Sequence, residues 1–285
     1  MTRNLMRTLL SEAQRYRAKI AIKRVASAFL SATANRFAEP APAVTVFIAN
    51  ANNRYALQLT IESLLKHTTY PNLQVWVGDN HSTDGSVEYL ESIRSRIRLK
   101  VIQPDRDRSH TEWLDWAYRN IETPYWVGMD NDVYFLGSDW LADLISTIDR
   151  DPLLYIVGGE RCGYTSDYIE PYSNGHVRLA ERFSAYLFIM RTALRDKVDT
   201  SFEFVMDPAI LPDVLNLCYD TGGKLQASAE REGLKCEYMP GWYRYKWHHI
   251  GSLSWVFNHD VDEATRHFKR YQLQDIKRRV VTGKI

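Results

Sequence analysis

Short apolar runs alternate with amphipathic stretches through most of the chain, and each pattern predicts a different element. A short apolar run bounded by polar residues is typical of a buried parallel strand, whereas apolar residues three and four positions apart predict a helix. Such runs predict strands at Val44–Ile48, Gln74–Gly78, Leu99–Ile102, Tyr125–Met129, Leu154–Val157 and Tyr186–Met190. Helical spacing is found at Tyr55–Lys66, Val87–Ile93, Glu112–Ile121, Trp140–Ile148 and Gly222–Glu232. This alternation predicts an α/β fold in which helices flank a mostly parallel sheet.

Basic helical patterns flank this α/β region on both sides. The N-terminal pattern ends before the prolines at positions 40 and 42, which disfavour continued helix. The C-terminal pattern, at about Asp260–Val281, places Phe268 and Tyr271 on one face. We therefore predict a helical extension and linker over residues 1–43, the α/β domain over 44–258 and a C-terminal helix over 259–285. The two helices could attach to an anionic membrane surface, or pack on the domain or on a second copy of the chain.

Composition narrows the class of protein. The 285 residues are 45% hydrophobic, enough for one full core, and the net charge of +1 gives no general attraction for nucleic acid. The three cysteines have no CxxC spacing, so neither a disulfide framework nor a thiolate zinc site is indicated. No apolar run reaches the roughly 18 residues that cross a bilayer. We expect a soluble cytoplasmic protein, with peripheral attachment to the inner face of the cell membrane as an alternative.

Two polar stretches directly follow predicted strands, where ligands gather in open α/β sheets. In the stretch Asp130, Asn131, Asp132, two carboxylates one residue apart can hold Mg²⁺ or Mn²⁺ against phosphate oxygens. That spacing alone is more often an ordinary acidic turn. The stretch Asp79–Ser86 follows another strand, and its last three residues also fit a turn with a helix N-cap.

Together these stretches resemble the large inverting glycosyltransferase family two. The first helix of that family begins after an Asn-Arg pair, here Asn53 and Arg54, and ends in Glu-Ser-Leu-Leu, here Glu62–Leu65. Its next signature, Asp-Asn-x-Ser-Thr-Asp-Gly-Ser, is present as Asp79–Ser86. The resemblance covers about Val44–Ser254 and implies a Rossmann-like GT-A fold, a divalent metal ion and a nucleotide-diphosphate sugar, with a UDP-sugar as the expected donor.

The resemblance also implies roles for individual residues. Asp79 would contact the nucleotide base, Asp130 the ribose or the metal, and Asp132 the metal itself. Further donor contacts are expected at Ala51, Asn53, His110 and Asn131. For His110 a place near a helix N-terminus is the alternative, and Asn131 could simply separate the two carboxylates.

Two segments depart from the family pattern. Ala49–Asn52 replaces the usual Pro-Thr-Tyr, and Asp105–Ser109 replaces the usual Asn-x-Gly. Within the second segment, Arg106 and Arg108 could each neutralise a diphosphate through a planar guanidinium, or could be part of a solvated loop.

A late histidine pair resembles the element that supplies another metal ligand in some family members. His248 and His249 precede Ile250, Gly251 and Ser252, and the spacing favours His249 as the ligand. An imidazole ligand would favour Mn²⁺ over Mg²⁺. The alternative is that both rings are packing or surface residues.

The catalytic base should be a carboxylate near the acceptor hydroxyl. Asp220 and Asp213 are the two candidates, and Asp220 resembles the acidic residue that starts a late helix in the family. Either residue could instead be a helix N-cap or helix-start residue.

These observations predict a metal-dependent inverting glycosyltransferase that uses a glycan, lipid-linked or other hydroxyl acceptor. A nucleotidyltransferase would need a glycine-rich, basic phosphate loop after the first strand, which the sequence lacks there. The other alternative is a non-catalytic membrane-associated or carbohydrate-binding protein with the same fold. The joint presence of two carboxylates, a late histidine and a candidate base argues against it. These residues are Asp130, Asp132, His249 and Asp220.

Overall fold

A computed structural model of the chain describes residues 3–30, 41–162, 168–169, 176–198, 201–205, 217–253, 256 and 260–282. The helices are α1 (Arg3–Leu30), α2 (Arg54–His67), α3 (Ser86–Ser92), α4 (His110–Asn120), α5 (Trp140–Ile148), α6 (Gly223–Arg231) and α7 (Glu263–Thr282). The longer strands are β1 (Val44–Asn50), β2 (Leu73–Asp79), β3 (Leu99–Ile102), β4 (Tyr125–Met129), β5 (Val133–Phe135), β6 (Leu154–Gly158), β9 (His176–Leu179), β11 (Leu187–Arg191), β13 (Lys235–Tyr238) and β14 (Trp247–His249). Two-residue strands are β7 (Arg161–Cys162), β8 (Tyr168–Ile169), β10 (Arg182–Phe183) and β12 (Leu217–Cys218).

The central sheet of the described residues has seven strands in the order β13-β6-β11-β4-β1-β2-β3. Strands β4, β1, β2 and β3 run parallel to one another, and β13 runs parallel to β6. Strand β11 lies between β4 and β6 and is antiparallel to both. The predicted mostly parallel α/β sheet is therefore confirmed, with one antiparallel strand that the apolar run at Tyr186–Met190 did not reveal.

Both faces of the sheet are covered because its strands carry apolar side chains on both sides. In β1, Val46 and Ile48 belong to a core cluster that includes Leu57 of α2 and Leu144 of α5. Phe47, which points to the opposite face, belongs to a second cluster with Trp113 of α4. This two-sided burial explains why the strand sequences are continuous apolar runs and do not alternate with polar residues.

The terminal helices pack on one side of the domain. Tyr16 and Ile20 of α1 and Ile276 of α7 are buried in a third cluster with Leu59 of α2. The other face of α1 is exposed and carries Ile22 and Val25, which are 60% and 70% exposed. One face of each terminal helix thus packs on the domain, while membrane attachment stays a prediction. None of the helices within the described ranges is long and apolar enough to span a membrane.

Candidate active site

Three strand ends converge at one edge of the central sheet. Asn50 at the end of β1 pairs in register with Asp79 at the end of β2, and β4 on the other side of β1 leads directly into Asp130. These strands are parallel, so their carboxyl ends meet at the same edge. The sequence positions predicted for ligand binding are thus placed together by the strand order.

A short two-stranded ribbon brings His249 to the acidic residues. Strand β5 begins directly after Asp132, and β14 pairs with it antiparallel so that His249 lies opposite Val133. His249 Nε2 lies 3.1 Å from Asp132 Oδ1 and 3.4 Å from Asp130 Oδ2. One donor atom from each of the three residues lies within 4.8 Å of the other two.

The neighbouring His248 points away from this cluster. Its side chain is buried against Tyr16 of α1, with the two ring centroids 5.3 Å apart. Burial lowers the pKa of His248 well below its ordinary value, so the ring is neutral. Of the two histidines considered from the sequence, the structure therefore brings His249 to the carboxylates and uses His248 for packing.

The donor set of this cluster fits a divalent cation. Asp132 is only 3% exposed, and a buried carboxylate beside a second one is costly without a positive partner. The buried Nε2 atom of His249 makes no hydrogen bond of acceptable geometry, although two carboxylate oxygens lie nearby. Carboxylate oxygens and an imidazole nitrogen that converge on one point are ligands that Mn²⁺ and related ions take.

Electrostatics at the cluster lead to the same conclusion. Burial would lower the pKa of His249, but the nearby carboxylates of Asp130 and Asp132 outweigh it and raise the pKa to about 9. Burial would raise the pKa of Asp130, but His110 and His249 outweigh it and lower that pKa well below its ordinary value. The cluster therefore strongly favours positive charge at this point.

His110 contacts the same cluster from the start of α4. Its Nε2 lies 3.2 Å from Asp130 Oδ1. Desolvation opposes protonation of His110, but the Asp130 carboxylate outweighs it and raises the pKa. Ser109 is the N-cap of α4 and forms a capping box with Glu112. His110 thus occupies both places proposed for it, the helix N-terminus and the site.

A buried chain of hydrogen-bonded side chains, three asparagines and Asp79, lies next to the cluster. Asn50 Nδ2 donates to Asp79 Oδ2 at 2.8 Å, and Asn131 Nδ2 donates to Asn50 Oδ1 at 2.9 Å. Asn53 Nδ2 lies 3.4 Å from Asn131 Oδ1. Each of these four side chains is at most 6% exposed. Asn131 therefore does more than separate the two carboxylates. Sequence reasoning missed the hydrogen bonds of Asn50, because a single polar residue at the end of an apolar strand forms no motif.

Asp79 supports a loop and does not line the cavity beside the cluster. Besides the bond from Asn50, its Oδ1 accepts from the backbone N–H of Ser82 at 2.8 Å, and the residue is fully buried. The carboxylate thus joins Asn50 of β1 to the loop that follows β2, and the expected contact of Asp79 with a nucleotide base stays a prediction.

The rest of the Asp79–Ser86 loop is also held by side-chain hydrogen bonds. Asn80 Nδ2 donates to Arg108 O at 2.7 Å, and Trp113 Nε1 donates to Asn80 Oδ1 at 2.8 Å. Asp84 Oδ1 accepts from the backbone N–H of Ser86, and Gly85 with φ +85° is the N-cap of α3. The turn interpretation of the last three residues therefore holds locally, while Asn80 joins the loop to the neighbouring segment.

A cavity of about 310 Å³ opens between these elements. Six residues predicted from the sequence line it, namely Ala51, Arg108, His110, Asp130, Asn131 and Asp132. Sequence reasoning missed six further lining residues, which are Ala49, Asn50, Asn80, Trp113, Ser252 and Leu253. Trp113 packs against the backbone of Gly78, where a Cβ atom would lie 2.6 Å from the ring, so the close approach requires glycine.

The two arginines of the segment Asp105–Ser109 take different positions. Arg108 lines the cavity, with its guanidinium carbon 5.0 Å from the ring centroid of Trp113. Arg106 pairs with Glu112 on the outer surface, and its side chain is 72% exposed. The prediction of a diphosphate contact is thus compatible with Arg108, whereas Arg106 is directed away from the cavity by its ion pair.

Asp220 lies beside the described site and is held by an arginine. Its side chain forms an ion pair with Arg182, and its Oδ1 accepts from the backbone N–H of Thr221 at 2.7 Å. The N-cap of α6 is Gly222, so Asp220 is not the cap. The charge of Asp220 contributes to the raised pKa of His110, which places the two residues in one electrostatic environment. Asp213 lies outside the described residues.

The mostly parallel sheet with an acidic site at the carboxyl ends of its strands is a GT-A fold, as comparison with known proteins shows. Residues 45–206, more than half of the chain, match the profile of the Glycosyl transferase family 2, and the chain belongs to this family.

One curated relative matches part of the chain. It is the uncharacterised protein y4gI of Sinorhizobium fredii, 25% identical over 114 residues. The matched stretch is 39% of this chain and only 12% of the relative, so this chain corresponds to a small part of that protein.

Solved structures share the fold. The TarS fragment 1–349 of S. aureus has a TM-score of 0.50 at 17% identity, covering 83% of this chain and 72% of the fragment. The mannosyltransferase PcManGT of Pyrobaculum calidifontis, in complex with GDP-Man and Mn²⁺, has a TM-score of 0.51 at 14% identity, covering 97% and 88%. GalNAc-T7 with UDP, GalNAc and Mn²⁺ has a TM-score of 0.51 at 14% identity, covering 71% and 43%. At these identities the likeness establishes the fold.

Proposed function

We propose that this chain is a metal-dependent inverting glycosyltransferase that transfers a sugar from a nucleotide diphosphate to a hydroxyl acceptor. The observation that carries the proposal is the approach of Asp130, Asp132 and His249 to one another at a cavity in a member of glycosyl transferase family 2. A candidate base beside the cluster favours an enzyme over a protein that only binds carbohydrate.

The cation would be held by the two carboxylates and the imidazole. Bound there, Mn²⁺ or Mg²⁺ would supply positive charge against the diphosphate as it leaves. The imidazole ligand favours Mn²⁺. The presence of Mn²⁺ in the structures of PcManGT and GalNAc-T7 is consistent with this choice.

The cavity beside the cluster is the proposed donor site, with a UDP-sugar as donor. Its volume of about 310 Å³ is at the lower end of the range for small-ligand pockets. Arg108 offers a planar guanidinium to the diphosphate, and the Trp113 ring offers an aromatic face to the base. Ala51 places no bulky side chain at the cavity, and Asn131 connects its wall to the buried amide chain.

Asp220 is the proposed base. The acceptor oxygen forms a bond to the anomeric carbon while the bond from that carbon to the diphosphate oxygen breaks, and the acceptor proton passes to Asp220. The nucleoside diphosphate leaves from the opposite face, so the anomeric configuration inverts. Arg182 fixes the orientation of the Asp220 carboxylate through their ion pair.

The terminal helices support a proposal for the acceptor and for the location of the protein. The exposed face of α1 carries basic residues beside Ile22 and Val25, a combination that suits the surface of an anionic membrane. We therefore propose a glycan or lipid-linked hydroxyl acceptor and a cytoplasmic protein at the inner face of the membrane. A second copy of the chain is a further candidate partner of the same helices.

Release of nucleoside diphosphate from a panel of nucleotide sugars tests the function. Purified chain is incubated with UDP-glucose, UDP-galactose, UDP-N-acetylglucosamine and GDP-mannose, with Mn²⁺, with Mg²⁺ or with EDTA. We expect release from at least one UDP-sugar that requires the metal ion, and retained activity in EDTA would contradict the metal dependence. No release from any donor, with or without candidate acceptors, would favour a binding protein.

A further inference from the structure

A second cavity of about 700 Å³ lies next to His249 and has a different lining from the cavity at the acidic cluster. The His249 side chain lines this cavity, while its Nε2 lies 3.1 Å from Asp132. Helix α1 forms one wall, and the segment that contains the short 3₁₀ helix Tyr243–Tyr245 forms another. His249 therefore connects the second cavity to the carboxylates that line the first, so a ligand in the second cavity would approach the metal cluster.

The charge of the second cavity is strongly positive. Four cationic side chains line it, from Arg15, Lys19, Lys23 and Arg244, against the single carboxylate of Glu160. Within the described ranges, no carboxylate lies at ion-pair distance from any of these four cations. Cations that face one cavity without ion-pair partners raise the local concentration of anions.

The pKa of Lys23, a buried residue of the cavity wall, reflects this positive charge. Lys23 is only 7% exposed, and its Nζ donates to Trp247 O at 2.9 Å. Burial is the main cause that lowers the pKa of Lys23 to about 8, and repulsion from Lys19 and Arg244 adds to it. Attraction to Glu160 opposes this shift. A buried ammonium surrounded by like charges is stabilised when an anion enters.

Aromatic rings line the side of the cavity nearest the cluster. The Tyr186 ring stacks on His249 with centroids 4.1 Å apart, and the Trp247 ring lies 5.5 Å from Tyr186. The buried Nε1 of Trp247 has no hydrogen-bond partner within the described ranges. Aromatic faces next to donors without partners suit a sugar ring that carries polar groups.

We propose that this second cavity binds an acceptor through a phosphate group, with Lys19 and Arg244 as its main exposed contacts and the sugar or alcohol part directed toward His249. Arg15 adds to the same charge, and Ile22 at the cavity wall offers apolar contact to a lipid chain. The role as an acceptor site rests on the proposed glycosyl transfer, whereas phosphate binding itself depends only on the cavity.

Calorimetric titration tests the phosphate site directly. Farnesyl phosphate and glucose 1-phosphate are titrated into the full chain, with farnesol and glucose as their uncharged counterparts, and UDP and Mn²⁺ are in excess throughout. We expect at least one phosphate to bind at least tenfold more tightly than its counterpart. Preference for farnesyl phosphate identifies a lipid-linked source, and preference for glucose 1-phosphate identifies a soluble one.

The substituted residues are exposed, so the variants should keep the fold and a loss of phosphate binding can be assigned to the lost charges. Lys19→Gln with Arg244→Gln should weaken phosphate binding at least tenfold at an unchanged melting temperature. Lys197→Gln with Arg231→Gln is the matched control, because both residues are exposed and line neither cavity. Binding of neither phosphate, or equal binding by the two double variants, overturns the proposal. Failure of the wild-type chain to release UDP from any donor would contradict the glycosyl transfer and leave the phosphate comparison intact.

Discussion

His249 Nε2 lies 3.1 Å from Asp132 Oδ1. Asp132 directly precedes β5 and His249 ends β14, and these two strands are far apart in the sequence. The antiparallel pairing of β5 with β14 creates this proximity. The metal site therefore depends on a late segment that returns to the edge of the sheet, and its ligands can be tested one at a time.

Asp132→Asn should abolish metal-dependent activity. The change keeps the shape of the side chain and removes the charge that faces His249, so we expect Mn²⁺ affinity to fall about 100-fold or more, since even outer contacts of metal ligands are worth 10–100-fold. Mn²⁺ titration followed by electron paramagnetic resonance measures the affinity. Asp196→Asn, whose native side chain is 98% exposed, is the matched control. Wild-type Mn²⁺ affinity in the Asp132 variant would remove this residue from the metal site.

Asp220→Asn should slow transfer to the acceptor while leaving binding of UDP and Mn²⁺ in place. Loss of a general base lowers rates by about 10²–10⁴-fold. Single-turnover transfer measures the chemical step, and titration with UDP and Mn²⁺ checks the donor site. The comparison variant is Asp213→Asn. If that variant loses transfer and the Asp220 variant does not, the base is Asp213.

Asn50→Ala should destabilise the fold through the buried amide chain. The variant leaves Asp79 Oδ2 without the donor at 2.8 Å and Asn131 without its acceptor at 2.9 Å. Unsatisfied buried groups cost about 1–3 kcal/mol each, so we expect a loss of a few kcal/mol in the free energy of unfolding. Urea denaturation measures it. Asn120→Ala, at an exposed helix end, should change stability by less than about 0.5 kcal/mol.

His67 should make stability depend on pH in the acidic range. Burial first, and then the charges of Lys66 and Arg24, lowers the pKa of His67 from 6.5 to about 4 in the folded chain. The folded chain therefore binds fewer protons than the unfolded chain in this range. The contribution of His67 is complete above pH 6.5 and is lost as the pH falls toward 4.

Replacement of His67 isolates this contribution from the other titrating groups. His67→Gln should show a smaller fall in the free energy of unfolding between pH 7 and pH 4 than the wild-type chain, by urea denaturation at each pH. His267→Gln, on an exposed face of α7, should keep the wild-type dependence. Parallel curves for the wild-type chain and the His67 variant would show that His67 does not contribute.

The sequence by itself determined the layers of the fold. Continuous apolar runs predicted strands that are covered on both faces, and β3 and β4 have the predicted bounds. Helical spacing predicted α5 with the bounds that the structure has. The polar residues that end these runs must lie at one edge of a parallel sheet, so the position of Asp130 and Asp132 was also predictable. The octapeptide Asp79–Ser86 identified the family, which its profile match confirms.

Only the tertiary structure decided which side chains meet. The direction of β11 and the pairing of β14 with β5 depend on contacts between distant segments, which periodicity does not encode. The same pairing separates His248 from His249, because adjacent residues in a strand point to opposite faces. The outward position of Arg106, the burial of Asp79 and the cationic cavity beneath α1 likewise follow from packing across the chain, where local sequence carries no signal.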